Sequence, residues 1–331
     1  MSKTKVTILG DGGWGTALAM LLCGKGSSVS LWGAFPDYIE VLKKSRENTK
    51  FLPGFTIPDK VLITSDIKEA LEDSEAIIIA IPSKFLRSTL RGLRGAGFTG
   101  KTIISAVKGI EPGTFKPASD IIEEVLGLKE NVVLSGPTIA REVAEGLPTS
   151  AVVGSTDEAK AIKAQEILHT ERFRVYTCAD AIGVELGGAL KNIIAIAAGA
   201  CDGLGFGTNA KSALFTRGLV EMKRIGVALG AKEETFNGLS GIGDLMTTCT
   251  SPYSRNRCIG EEIAKGKSLK DILKNMEMVA EGIETSRSIY EESRKMSLTA
   301  PIAEEVYRVL FEGKDPLLAV ASLMTRTKKA E

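Results

Sequence analysis

Histidine is nearly absent from this chain of 331 residues: His169 is the only one. That excludes zinc sites built from several histidines and makes any histidine-based catalysis depend on one side chain. Cysteine is sparse as well. Cys23, Cys178, Cys201, Cys249 and Cys258 are odd in number and form no C-x-x-C, so reduced thiols in a cytoplasmic protein are expected, not a disulfide or zinc framework. There is no excess charge of one sign. Lys and Arg number 42 against 41 Asp and Glu, which argues against a nucleic-acid or polybasic membrane binder. No uninterrupted apolar run approaches the ~20 residues of a membrane helix, and the nearest, Ile193 to Cys201, is cut off by Asp202. The opening MSKTKVTILG lacks a signal-peptide layout. What remains is ordinary globular material, 44% hydrophobic and 25% charged, at a length suited to two domains.

Residues 1–180 alternate short β-branched runs with helical patterns. Strands are expected at Lys5–Leu9, Ser28–Trp32, Val61–Thr64, Ala76–Ile81, Thr102–Val107, Val132–Leu134, Ser150–Val153 and Arg172–Tyr176. Runs such as Ile77-Ile78-Ile79-Ala80-Ile81 suit strands buried on both faces. The alternation predicts an α/β Rossmann domain with a mostly parallel sheet. Over 181–331 the strand signals vanish. Ile182–Ala200, Ala210–Leu229, Arg257–Lys265, Leu269–Lys274, Glu281–Met296 and Pro301–Phe311 read as helices, predicting an all-α second domain. The boundary is expected near Thr177–Ile182.

Glycine is in excess, 35 residues against a usual share of ~7%. Seven lie within positions 10–33 and thirteen within 183–243. In the first group Gly10-Asp11-Gly12-Gly13-Trp14-Gly15 follows a strand and opens a helix. This is G-x-G-x-x-G in the context that cradles a pyrophosphate on a helix N-terminus. A plain strand–turn–helix would share the pattern, but its place at the chain start and the strand after it favour a dinucleotide. The acid that would bind ribose belongs at the end of the second strand. That stretch reads Trp32-Gly33-Ala34-Phe35-Pro36-Asp37, with Asp37 the nearest carboxylate and no arginine to hold a 2′-phosphate. The reading leans towards NAD over NADP.

Three strand ends carry polar loops: Pro82-Ser83-Lys84, Lys108-Gly109 and Ser135 to Ala140. Each is compatible with ordinary turn chemistry, although Lys108 places a cation at the mouth of the sheet. In the second half, Lys191 has only Gly187, Gly188, Ile194 and Ala195 at helical spacing, so no local carboxylate pairs with it. It is either a lysine whose head reaches water or a desolvated general base. Gly241-Ile242-Gly243-Asp244-Leu245 places an acid in a glycine-rich turn before Thr247 and Thr248. Ser254-Arg255-Asn256-Arg257 is either an anion site at a helix N-terminus or a cap with two solvated arginines. Val279-Ala280-Glu281-Gly282 is a short polar turn. His169, at a helix end, reads as a surface or capping residue, which shifts weight to the lysine.

These residues together resemble the NAD(P)-dependent glycerol-3-phosphate dehydrogenase family. The stretches that carry the resemblance are GDGGWGTALA at 10–19, AVKG at 106–109, SGPTIA at 135–140 and ELGGALKN at 185–192. CDGLGFG at 201–207, GIGDLMTTC at 241–249, SRNR at 254–257 and VAEG at 279–282 continue it in order. The resemblance implies a Rossmann domain, a helical domain and catalysis in the cleft between them. It also implies interconversion of glycerone phosphate and sn-glycerol 3-phosphate for glycerophospholipid synthesis, in a cytoplasmic homodimer. Lys191 would be the proton acceptor, oriented by Asp244 and Asn192. Lys108, Gly136, Thr138, Asp244, Ser254, Arg255 and Asn256 would hold the substrate. Gly10, Gly12, Gly13, Trp14, Gly15, Lys108, Ala140, Arg255, Val279 and Glu281 would contact NAD or NADP. Two departures stand out: Ala34-Phe35 where many members place an arginine, and Asp11 in place of a small residue. A β-hydroxyacid dehydrogenase and a non-catalytic NAD-sensing protein are the alternatives.

Overall fold

The computed structural model describes residues 4–129 and 131–328. Its first compact unit comprises 1–108 and 116–185, and its second 109–115 and 186–331. The strands of the first unit, in chain order, are β1 (Lys5–Leu9), β2 (Ser28–Trp32), β3 (Glu47–Asn48), β4 (Leu52–Thr56) and β5 (Val61–Thr64). They continue with β6 (Ala76–Ile79), β7 (Thr102–Ser105), β8 (Val132–Ser135), β9 (Thr149–Gly154) and β10 (Phe173–Cys178). All eight strands expected from the sequence join one sheet, in the order β10-β9-β8-β7-β6-β1-β2-β5. Every pairing is parallel except β8 with β9. The chain starts in the middle at β1, runs outward through β2 to β5, then returns to the other side at β6. This reversal is the topological switch point, where doubly wound sheets bind ligands.

The apolar runs explain the two covered faces. In β6, Ala76 and Ile78 enter one core cluster while Ile77 and Ile79 enter the other. A two-residue side-chain period can bury four consecutive apolar residues only when both faces are covered. Helices α1 (Gly13–Lys25), α2 (Pro36–Ser45) and α7 (Glu158–Leu168) supply the first layer. Helices α3 (Ile67–Leu71), α4 (Ser83–Gly92) and α5 (Ala118–Leu126) supply the second, and α6 (Ala140–Ala144) follows β8. The antiparallel β3–β4 pair was not foreseen, because Pro53 and Gly54 lie inside β4. β6 and β7 also stop at Ile79 and Ser105, two residues before the apolar runs that marked them.

The second unit is built from α8 (Ala181–Gly203), α9 (Thr208–Ala228), α10 (Asp244–Thr250), α11 (Arg255–Ala264) and α12 (Leu269–Lys274). It ends with α13 (Glu281–Lys295), α14 (Pro301–Phe311) and α15 (Pro316–Met324). Helix α8 is long and apolar enough to cross a membrane, yet 83% of its most apolar window is buried within the protein. It is the axis of the second core. Its crossing with α11 is backbone to backbone. A Cβ on Gly260 would lie 1.9 Å from the Ile196 carbonyl oxygen, and one on Gly199 1.8 Å from that of Arg257. The stretch around Gly241, expected as a turn, is a π-helical turn (Leu239–Gly243) that runs directly into α10.

The units do not part where the grammar of the sequence changes. The first turn of α8 stays with the first unit, because the Glu185 carboxylate accepts hydrogen bonds from Ser119 N–H (3.0 Å) and Ser119 Oγ–H (2.5 Å) at the start of α5. Residues 109–115 go with the second unit, whose core buries Ile110. A second buried acid, Glu221 on α9, receives the N–H groups of Ile302 (2.9 Å) and Ala303 (2.8 Å) at the start of α14. Both carboxylates hold otherwise orphaned donors at helix N-termini.

Burial pushes each of these carboxyls up from 4.5 to about 7, against the pull of those hydrogen bonds. Between those values the folded protein binds protons that the unfolded chain does not. This contribution to stability is therefore full below about pH 4.5 and is lost as pH rises through about 7. Urea unfolding from pH 5 to 7.5 should show a falling contribution that Glu221→Gln reduces, leaving the share of Glu185. A pH slope identical in wild type and variant would contradict this.

Candidate active site

Lys191 sits mid-way along α8 with 5% of its surface exposed. Its head does not reach water. The carboxylate that the local helix lacks comes from 53 residues away. Nζ donates to Asp244 Oδ1 at 2.5 Å and to Thr248 Oγ1 at 2.6 Å. Asp244 is 1% exposed, at the first residue of α10, where the π-helical turn delivers it. Thr248 stands one helical turn further on, and its hydroxyl is 3.2 Å from Asp244 Oδ1. The three buried groups form a closed triangle. A buried cation so paired and so placed on a rigid helix is well set for proton transfer. The i+4 spacing of Thr248 from Asp244 is the sequence signal for this third member.

Asn192, next to Lys191, reaches in another direction. Its Oδ1 accepts from Asn256 Nδ2 at 2.8 Å, while its own Nδ2 donates to the Gly188 carbonyl at 3.3 Å. Asn256 Oδ1 in turn accepts the Gly282 N–H at 3.0 Å. Three separate segments are thereby fixed to one another at the start of α11 and α13. The Ser254–Arg257 stretch combines parts of both readings. Ser254 is an N-cap whose Oγ accepts the Arg257 N–H at 3.3 Å. Arg257 is not solvated: it pairs with Asp202 at 2.7 Å and Glu261 at 3.4 Å, and Asp202 also holds Lys211 at 2.8 Å. That removes Arg257 from anion binding and leaves Arg255. The Arg255 guanidinium donates to the Val279 carbonyl at 2.5 Å and feels the charge of Glu281. Arg255, Val279 and Glu281 are thus brought together.

Within the first unit, Lys108 Nζ donates to the Gly136 carbonyl at 2.8 Å and to Thr138 Oγ1 at 2.9 Å. The loop after β7 and the loop after β8 meet at this lysine. The glycine loop lies at the end of β1, beside the switch point. Gly10 has φ +120°, and any side chain there would strike the Ala80 carbonyl. Its N–H bonds the Trp32 carbonyl at 2.9 Å, tying the loop to the end of β2.

Gly12 is the N-cap of α1 and leaves open space where a side chain would stand. No side chain caps this helix and no acid lies in its first turn, whereas α3, α7 and α11 are all capped by Asp or Ser. Gly13 and Gly15 follow in that turn, and Trp14 there has a buried indole N–H without a partner. A free helix N-terminus behind a glycine cradle fits a pyrophosphate, and the orphaned indole donor fits a polar ligand group. Ala140 opens α6 and packs, like Trp14, against the core of this unit. His169 caps α7, and its Nδ1 accepts the Val175 N–H at 3.3 Å, so it is engaged in the fold.

Two family models match, the N-terminal domain of NAD-dependent glycerol-3-phosphate dehydrogenase over residues 5–161 and its C-terminal domain over 180–321. The glycerol-3-phosphate dehydrogenase [NAD(P)+] of Chlorobium phaeobacteroides is 47% identical over 330 residues, 99% of both chains. That of Geobacillus kaustophilus is also 47% identical, over 98% of this chain and 96% of its own. The crystal structure of glycerol-3-phosphate dehydrogenase from Coxiella burnetii superposes with a TM-score of 0.93 at 37% identity, covering 98% of this chain and 99% of that one. These matches support neither a β-hydroxyacid dehydrogenase nor a non-catalytic sensor. The chain belongs to the NAD-dependent glycerol-3-phosphate dehydrogenase family.

Proposed function

We propose that the protein catalyses reversible hydride transfer between NAD(P)H and glycerone phosphate, giving sn-glycerol 3-phosphate, with Lys191 as the proton carrier. The observation that carries this reading is the buried Lys191–Asp244–Thr248 triangle on an otherwise apolar helix. The bound nicotinamide supplies the hydride donor and acceptor. When the C2 hydroxyl is oxidised, its proton passes to Lys191 Nζ in the neutral amine form, leaving the ammonium paired with Asp244; in the reverse direction the ammonium gives that proton to the C2 oxygen and Nζ is left neutral. Asp244 and Thr248 hold Nζ in one position throughout, which lowers the cost of orientation. Arg255, Asn256 and the N-terminus of α11 with its Ser254 cap take the phosphate, so the non-reacting end of the substrate contributes orientation energy. Lys108, Gly136 and Thr138 complete the substrate contacts. Gly10, Gly12, Gly13, Trp14, Gly15, Lys108, Ala140, Arg255, Val279 and Glu281 serve the cofactor.

On this reading 1–180 is the dinucleotide-binding region and 181–331 the substrate-binding and catalytic one. The product would supply glycerophospholipid synthesis in the cytoplasm. A homodimer follows the family pattern, and the exposed Leu317, Leu318 and Met324 on α15 offer it apolar surface to cover.

Oxidation of NADH and of NADPH, followed by absorbance with glycerone phosphate as substrate, tests the reaction directly. Lys191→Ala should lower kcat by about 100-fold or more while NADH still binds; turnover near the wild-type rate would remove Lys191 from proton transfer. Arg255→Ala should raise KM for glycerone phosphate by at least about tenfold, as expected for loss of a charge-assisted contact. An unchanged KM would place the phosphate elsewhere.

A further inference from the structure

Strands β1 and β2 are parallel neighbours whose last residues, Leu9 and Trp32, are paired in register. Beyond β1 the chain continues as Gly10-Asp11-Gly12, and beyond β2 as Gly33. The Asp11 side chain crosses from the first loop to the second. A Cβ built on Gly33 would lie 2.6 Å from Ile39 Cδ1, 2.7 Å from Asp11 Cγ and 2.8 Å from its Oδ2. The carboxyl, together with Ile39, therefore fills the side-chain space of position 33, at the end of β2. The loop that carries it is pinned: Asn48 Nδ2 donates to the Asp11 carbonyl at 2.8 Å and to Thr16 Oγ1 at 2.7 Å.

Oδ2 of this carboxyl is buried and has no hydrogen-bond partner in the protein. An unsatisfied buried acceptor is costly, and more so when charged, so a donor is missing from the picture. Burial raises the affinity of the group for a proton, and Lys50 partly offsets this. In dinucleotide-binding domains the end of β2 is where an acid meets the adenosine ribose. The residues that follow β2 here offer none. Asp37, the nearest in sequence, is exposed in the first turn of α2. Nor do Ala34, Phe35 and Pro36 offer a cation to a 2′-phosphate.

We propose that the Asp11 carboxylate, lodged over Gly33, accepts the hydrogen bond of the adenosine ribose 2′-hydroxyl and so selects NAD over NADP. The proposal rests on the dehydrogenase reading above and names the residue that sets its cofactor preference. A 2′-phosphate in the same place would set a dianion against a buried carboxylate, which is repulsive at close range. Gly33 belongs to the same device, since any side chain there would crowd both the acid and Ile39.

Direct titration of NADH and NADPH into the protein, by the change in cofactor fluorescence, tests this without turnover. Wild type should bind NADH more tightly. Asp11→Ala should weaken NADH by about tenfold or more and bring the NADH/NADPH affinity ratio towards unity. Asp11→Asn, which keeps the shape and removes the charge, should strengthen NADPH. The 2′-deoxyadenosine analogue of NADH should bind wild type and Asp11→Ala alike, an outcome that general damage to the loop would not give. An affinity ratio that neither substitution moves, or a wild type that prefers NADPH, overturns the assignment. Turnover of glycerone phosphate with an unmoved ratio would sink the role of Asp11 alone. The expected ratio without turnover would sink the reaction instead.

Discussion

The buried ion pair between Lys191 and Asp244 is the constraint around which the helical unit is arranged. Taking two charges out of water costs several kcal/mol each, and only close, well-directed contacts offset it. Such contacts need rigid supports on both sides. Lys191 rides on α8, a long and apolar helix whose backbone meets α11 at Gly199 and Gly260. Asp244 is delivered by a π-helical turn, a geometry found frequently at functional positions in helices. The pair therefore depends on elements distant in sequence being held to fractions of an ångström.

The first unit solves a different problem, that of leaving backbone donors free for a ligand. Some helix N-termini here are closed by a side chain, by Asp66 on α3, Asp157 on α7 and Ser254 on α11. The start of α1 is left open, with glycine at the cap and the adjoining loop fixed by Asn48 from the β3–β4 segment. An open terminus is costly in a folded protein unless something else occupies it.

Much of this was legible in the sequence because the physics is local. Continuous Ile-rich runs announced strands covered on two faces, and the glycine loop announced the end of β1. Lys191 drew attention by lacking a neighbour of opposite charge. What the sequence withheld was long-range. Thr248 as a second partner of Lys191, Asp202 as the partner of Arg257, and Asp11 standing in for an acid after β2 are each contacts between distant segments. The β3–β4 pair was hidden for a local reason, since proline and glycine in β4 read as breakers. The turn at Gly241 was hidden by glycines that elsewhere mark loops.

Residues 109–115 have a bearing on how the molecule can be taken apart. The chain passes from the first unit to the second at Lys108, returns at Lys116, and leaves again after Glu185. A gene cut at a single point cannot yield both units whole. A fragment beginning at Leu186 would lack Ile110, which is 1% exposed in the core of that unit. Recombining halves from related proteins would thus need two junctions beyond the obvious one, with the short excursion exchanged as a cassette together with the helices it serves.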